Sequence, residues 1–378
     1  MPRVLILGDR VEVGLAACRA LGSAGYHVGV AGTRAVEEVA ASRHAASYHA
    51  TPSPELDRDR WAETIRALIH AERYDVALAT SDTAVASLMD VALGVPACPH
   101  LSDDTLHLID KAQLGVVCRD VGVGYPSSHV SRSRAEDETI SQEVAHAMIV
   151  KPTRPAVTVG RGLAAMPGAR VVHNPAEARD ALAEIRRRGF DGMIQGQVFG
   201  VKVQGIIIRR HGVTTYRLAF AVRREFPPAH GAEAMLEGLR TADGVGGDVI
   251  DAMERLADAA RYEGLLGAEF ICDASSGKAV VVDVNPRLGG ALSYAELLGH
   301  RLTERMVRDA LGFRSAPLGE TGSRRYHHLV REIRWLGAQS SWPTGYFGTF
   351  GIRDVWDVPS VTDPRPTLLR VKRRFARR

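Results

Sequence analysis

The chain has 378 residues, 45% of them hydrophobic and 24% charged, with a net charge of +4. That length suits two or three domains with their own cores, and the lack of any 18-residue apolar run excludes a transmembrane helix, so no membrane partner is expected. Six positive charges crowd into the last nine residues (Arg370, Lys372, Arg373, Arg374, Arg377, Arg378), which leaves −2 elsewhere, so the tail is expected to be a solvated, frayed terminus and no nucleic-acid partner is expected.

Residues 1 to about 102 alternate strands and helices. Val4–Leu7 reads as a strand, Val13–Ala24 as a helix and Val28–Val30 as a second strand. Trp61–Glu72 puts Trp61, Ile65, Leu68 and Ile69 on one helical face. Asp75–Ala79 is another strand, followed by Thr80-Ser-Asp82 and a helix through Leu93. The alternation predicts a Rossmann-like parallel sheet. Its first turn, Gly8 to Gly14, lacks the GxGxxG fingerprint, which sets aside an NAD-dependent dehydrogenase. Asp82 ends a strand, where such sheets bind ligands. It either orients a substrate or caps the next helix.

A helix over Asp104–Val121 carries Asp110-Lys111. A strand at Ser127–Ser131, a helix at Ala135–Ala147 and a strand at Met148–Lys151 follow, then a loop over Pro152–Gly162 rich in Pro, Thr and Gly. Next come a helix at Pro175–Arg188, a strand at Asp191–Gln195 and a hairpin over Val198–Ala221 turning at Arg210-His-Gly212. A helix at Val249–Glu263 precedes a second hairpin, Leu265–Asp273 and Ala279–Val284, and a helix at Ala291–Leu311 closes the readable part. The Gly- and Pro-rich stretch after Gly312 resolves into no clear elements. Cys18, Cys98, Cys118 and Cys272 form no CxxC pair, and the chain opens on a strand-like run rather than a leader. Both features suit a reducing, cytoplasmic setting.

The second hairpin carries the chemistry. Residues i and i+2 of a strand share a face, so Asp283 and Asn285 project together, and the partner strand can set Glu269 beside them. Such a cluster of hard oxygens suits Mg²⁺ held through nucleotide phosphates. Arg287 follows with a planar fork for phosphate or carboxylate. The plain alternative is a charged hairpin edge. Tyr326-His327-His328 lacks a third ligand at a recognisable spacing, so no metal is expected there.

With Asp110-Lys111, Ile149-Val-Lys151-Pro152, Met193-Ile-Gln195, Gly200 and Glu269…Asp283-Val-Asn285-Pro-Arg287 in that order, the chain resembles the ATP-grasp superfamily over roughly residues 105–311. The likeness is strongest to stand-alone carboxylate ligases of the carbamoyl-phosphate-synthase-like group. It implies an α/β fold with a Rossmann-like domain (1–102), a linker helix and small lobe (103–192), a large lobe with the metal site (193–312) and a C-terminal extension (313–378). It implies ATP and Mg²⁺ (or Mn²⁺) as cofactors, with Lys111 and Lys151 on the phosphates. Ile194, Gln195 and Gly196 would read adenine through backbone groups, and Thr153–Gly162 would cover the triphosphate. Glu269, Asp283 and Asn285 would hold metal, and Arg287 would stabilise the transferring phosphoryl group.

Arg223, Arg224 and His230 fall where related proteins contact the acceptor substrate, and the plain alternative there is a solvated loop. The implied partners are a small-molecule carboxylate and an amine, in a family where homodimers are common. The sequence departs from the family at Lys202 and Val203, where Glu is frequent, and at Asp283, where Glu is usual. Gly290 replaces an arginine of the synthases, so carbamoyl phosphate synthesis is not expected. Two other readings stand beside the ligase: a bicarbonate-using, carboxylase-like enzyme, and an ATP-binding regulatory protein whose catalysis has decayed.

Overall fold

A computed structural model of the chain describes residues 1–88, 91–98, 103–144, 146–227, 232–313, 324–339, 351–357 and 360–376. The N-terminal domain holds β1 (Arg3–Leu7), α1 (Val11–Ser23), β2 (His27–Gly32), α2 (Glu37–Ala40), β3 (Ser47–Ala50), α3 (Arg58–Glu72), β4 (Val76–Ala79), α4 (Asp82–Leu88) and β5 (Ala97–Cys98). Its strands pair in parallel in the order β3-β2-β1-β4-β5. Alternate residues of β1 serve two cores. Val4 and Ile6 pack with Val13 and Leu21 of α1, while Leu5 and Leu7 pack with Trp61, Ile65 and Ile69 of α3. β3 and β5 escape sequence reading because they are short and carry no apolar alternation. The chain runs outward from β1 and then returns to β4 on its other side, so the loops after β1 and β4 flank the crevice where doubly wound sheets bind ligands.

The single linker helix expected over Asp104–Val121 is two helices, α5 (Asp103–Ile109) and α6 (Lys111–Asp120). Asp110 breaks it. Its backbone is extended and its carboxylate accepts from the amides of Ala112 and Gln113, which makes it the N-cap of α6.

The small lobe contains β6 (Ser128–Ser131), α7 (Arg134–Ser141), β7 (Met148–Pro152), β8 (Ala156–Val159), β9 (Gly162–Ala165), β10 (Arg170–Val172), α8 (Pro175–Arg187) and β11 (Gly192–Gly196). Its antiparallel sheet runs β10-β7-β11-β6. Because β11 pairs on both edges within this sheet, the boundary between the lobes falls after Gly196 rather than at 192. The stretch read as a loop is largely the β8–β9 hairpin. It lies against the N-terminal domain, where the Arg58 amide donates to Arg161 O at 2.8 Å and the Leu163 amide to Pro54 O at 3.1 Å. Gly162 is required at this contact, since a Cβ there would meet Glu55 O at 1.9 Å.

The large lobe contains β12 (Gly200–Arg210), β13 (Val213–Phe226), β14 (Ala232–Leu239), α9 (Gly244–Ala259), β15 (Gly264–Asp273), β16 (Ala279–Asn285), α10 (Leu292–Leu297) and α11 (Leu302–Ala310), with β17 (Arg325–His328), α12 (Leu329–Gly337), β18 (Val355–Asp357) and α13 (Arg365–Ala376) following. One sheet joins β16-β15-β12-β13-β14-β17-β18. α9 covers one face over Val203, Ile207, Ala268 and Phe270, while α10 and α11 meet the other over Ile206, Leu218 and Phe220.

Two expectations are corrected here. The helix read over Ala291–Leu311 breaks at Gly299 and Arg301, both at positive φ. The described elements within 313–378 are no separate extension. β17 and β18 extend the large-lobe sheet, and α13 returns to α2 of the N-terminal domain. There Arg370 pairs with Glu38 at 2.8 Å and Arg373 pairs with Glu37, so these tail arginines are docked rather than frayed. Among the described residues no helix is long and apolar enough to cross a membrane.

Candidate active site

The site grows from an irregularity in the β15–β16 ladder. Gly267 pairs with Asn285 and Glu269 with Asp283, but Phe270 pairs with Val281. Val282 is the extra residue of this bulge, and its carbonyl accepts from Lys151 Nζ at 2.9 Å. The i, i+2 spacing and the cross-strand register put Glu269, Asp283 and Asn285 on one face, with Asn285 Nδ2 donating to Asp283 Oδ2 at 3.3 Å.

Cations crowd this face. Lys111, at the start of α6, reaches Asp283 at 3.0 Å. Burial pushes the Asp283 carboxyl up, but Lys111 and Lys151 outweigh it and hold it below the usual carboxylate range. Burial pushes Lys151 down to about 8, and Lys111 adds to the shift against Asp283 and Glu269. Lys111 and Lys151 repel one another, and Lys151 is held by a carbonyl rather than by a carboxylate of its own, an arrangement that suits a polyanion.

Glu269 has a different neighbourhood. Lys202 on β12 holds Glu225 at 2.7 Å and Glu269 at 3.6 Å, while Gln204 donates to Glu233 at 2.8 Å. Desolvation, reinforced by Asp283, Glu233 and Glu225, raises the Glu269 pKa despite Lys202. A surplus of carboxylate oxygens on one sheet face is chemistry that a divalent cation relieves, so the donor set fits Mg²⁺. No group of three His, Cys, Asp or Glu among the described residues is placed to hold a metal alone, so the amide of Asn285 or a bound ligand must complete the shell. Sequence reading missed Gln204, Glu225 and Glu233. The signal for Gln204 was the polar i, i+2 alternation of Lys202 and Gln204 within β12, while Glu225 and Glu233 lie on β13 and β14 with no such mark.

Arg287 donates to Asp82 Oδ1 at 2.5 Å, a contact spanning 205 residues. Asp82 is free for it because Ser81 caps α4, accepting from the Ala84 amide at 3.2 Å. Arg154 of the covering segment pairs with Asp110 at 2.7 Å. These groups surround a cavity of about 760 Å³ between the three domains, lined by Asp82, Lys111, Arg154, Asp283, Asn285 and Arg287 among others.

Several predicted residues lie elsewhere or act otherwise. Ile194, Gln195 and Gly196 sit in a central strand whose ladders to β7 and β6 occupy their backbone groups. The Gly196 amide, for instance, donates to Ser127 O at 2.8 Å. The first residue beyond this ladder is Gln197. Arg223 and Arg224 lie on β13, not in a loop. Arg223 pairs with Glu237 at 2.6 Å. Arg224 pairs with Glu332 at 2.8 Å and lies over the Trp335 ring. His230 lies outside the described residues. His327 is fully buried between Glu332 at 2.9 Å and Asp354 at 3.1 Å, stacked on Trp356.

No protein-family model matches the chain, and no curated protein does. Solved structures do. The L-amino acid ligase of Bacillus licheniformis matches at 14% identity and a TM-score of 0.64, over 82% of this chain and 74% of the ligase. An N5-carboxyaminoimidazole ribonucleotide synthetase solved with ADP matches at 16% and 0.65, over 85% and 79%. Biotin carboxylase of Campylobacter jejuni matches at 15% and 0.63, over 83% and 71%. Identities this low speak for the fold, and that fold is ATP-grasp.

Proposed function

We propose that this ATP-grasp chain is an ATP-dependent ligase that activates a small carboxylate as an acyl phosphate and joins it to an amine, forming ADP. The observation that carries the reading is the convergence of Glu269, Asp283 and Asn285 on one sheet face, with Lys111 on Asp283, Lys151 on the adjoining Val282 carbonyl, and a cavity lined by Lys111, Asp283, Asn285 and Arg287. The neighbours support the general reaction: one is an amino acid ligase, one a carboxyaminoimidazole synthetase and one a biotin carboxylase.

ATP would lie with its phosphates toward Lys111 and Lys151, whose charges neutralise it. Glu269, Asp283 and Asn285 would hold Mg²⁺, which supplies charge neutralisation across the phosphates. Arg287 can orient the attacking carboxylate and stabilise charge as the phosphoryl group transfers. The β8–β9 hairpin rests on the N-terminal domain and lines the cavity, where it would help to shield an acyl phosphate from water.

The test is incubation with ATP, Mg²⁺ and hydroxylamine across pools of carboxylic and amino acids. A hydroxamate formed together with ADP identifies the activated carboxylate. One observation favours a second reading, a nucleotide-binding protein without turnover: Lys202 places an ammonium beside Glu269. That reading predicts ATP binding with no carboxylate-dependent ADP release from any pool.

A further inference from the structure

The ligase reading leaves the carboxylate unnamed, and the Asp82–Arg287 pair constrains it. Arg287 follows the metal-binding strand end at Asn285 by two residues, and its side chain is only 11% exposed. Its partner Asp82 comes from the crevice between β1 and β4 and lines the same cavity. A simple carboxylate arriving at Arg287 would set a second anion against Asp82, with Asp283 close by, and would leave Asp82 only the more distant Arg10. Like charges juxtaposed in a poorly solvated site repel such a ligand. A zwitterion has no such difficulty, because its carboxylate meets Arg287 while its ammonium meets Asp82.

Part of the wall beyond Asp82 is apolar, although Arg58 and Thr158 line the same cavity. Val85 and Ala86 follow it at i+3 and i+4, so they share its face of α4. Val157, Leu163 and Met166 face the same cavity from the β8–β9 hairpin and the residue just after it. Bicarbonate would leave both this wall and the Asp82 carboxylate unused.

We propose that the carboxylate activated at this site belongs to an α-amino acid with an apolar side chain, its ammonium on Asp82, its carboxylate on Arg287 and its side chain between α4 and the β8–β9 hairpin. The adjacency of the two charged residues selects an α-amino acid, since a longer separation of ammonium and carboxylate would not span a direct ion pair.

The proposal rests on the ligase reading but is tested by binding. Leucine, 4-methylpentanoate and 3-methylbutylamine are titrated calorimetrically into the protein loaded with Mg²⁺ and a non-hydrolysable ATP analogue. Leucine is expected to bind roughly tenfold or more tightly than either truncated analogue. Asp82→Asn should erase the preference for leucine over 4-methylpentanoate. Ala86→Leu, which leaves the ion pair intact, should weaken leucine more than alanine. Equal binding of leucine and 4-methylpentanoate by the unaltered protein, a preference that survives Asp82→Asn, or no binding of any of the three would overturn the inference. Hydroxamate formation from a carboxylate lacking an amine would then leave the ligase reading standing.

Discussion

Two clusters of charge sit on the large-lobe sheet and differ in how they end. At one edge Lys111, Lys151, Lys202, Glu269 and Asp283 share cations and carboxylates, and Lys111 and Asp283 line a cavity of about 760 Å³. Toward the other edge Arg224, Glu332, His327 and Asp354 form a closed chain of pairs walled by Trp335 and Trp356, with side-chain exposures of 9%, 2%, 0% and 6%. In sequence both look like functional charge. The difference lies in saturation. A cluster whose members already satisfy one another fixes the fold, whereas one with crowded like charges beside open space is ready to take a ligand.

Substitution should separate the two clusters. Asp283→Asn or Glu269→Gln is expected to cut Mg²⁺-dependent ADP release about a hundredfold or more with an unchanged melting curve. Undiminished release would make the open cluster as structural as the closed one. Arg224→Ala should do the reverse. It strips a cation from the buried Glu332 carboxylate and should cost about 3 kcal/mol, read as an earlier thermal transition, with nucleotide affinity retained.

A subtler contrast is in pH. Burial and Lys111 push Lys151 down to about 8 in the free protein, and bound phosphates would raise it again. Below that pH no proton need be taken up. Above it binding requires one, so ATP affinity should fall as pH rises, by up to about tenfold per unit, with proton uptake visible by calorimetry in buffers of different ionisation enthalpy. Lys151→Ala should be weaker throughout and flat over this window. Smallest is the hairpin contact: Gly162→Ala should lift the β8–β9 hairpin from Glu55, making it open to limited proteolysis and weakening nucleotide binding severalfold. A hairpin equally protected in that variant would remove the contact from the account of closure.

Much of the fold was legible because it is written in local periodicity. Alternation over residues 4–79 marks strands and helices, and the core faces of β1 and α3 follow from it directly. Boundaries that depend on a cap were not legible. Asp110 splits one helix into two through its own side chain, and β8–β9 forms a hairpin whose contacts lie on a distant domain. The C-terminal strands could not be read because β17 and β18 are short and owe their existence to the edge of a sheet already built.

For the site, the sequence by itself determined that Asp283 and Asn285 share a face and that Glu269 can stand opposite, because strand period and hairpin pairing are local rules. Only the tertiary structure decided which charges meet. Lys151 finds the Val282 carbonyl 131 residues away, Arg287 finds Asp82 across 205, and Arg224, on the same sheet, is claimed by Glu332. Periodicity fixes the direction of a side chain, while its partner depends on how lobes and domains dock, and docking is settled by the packing of whole faces rather than by spacing along the chain.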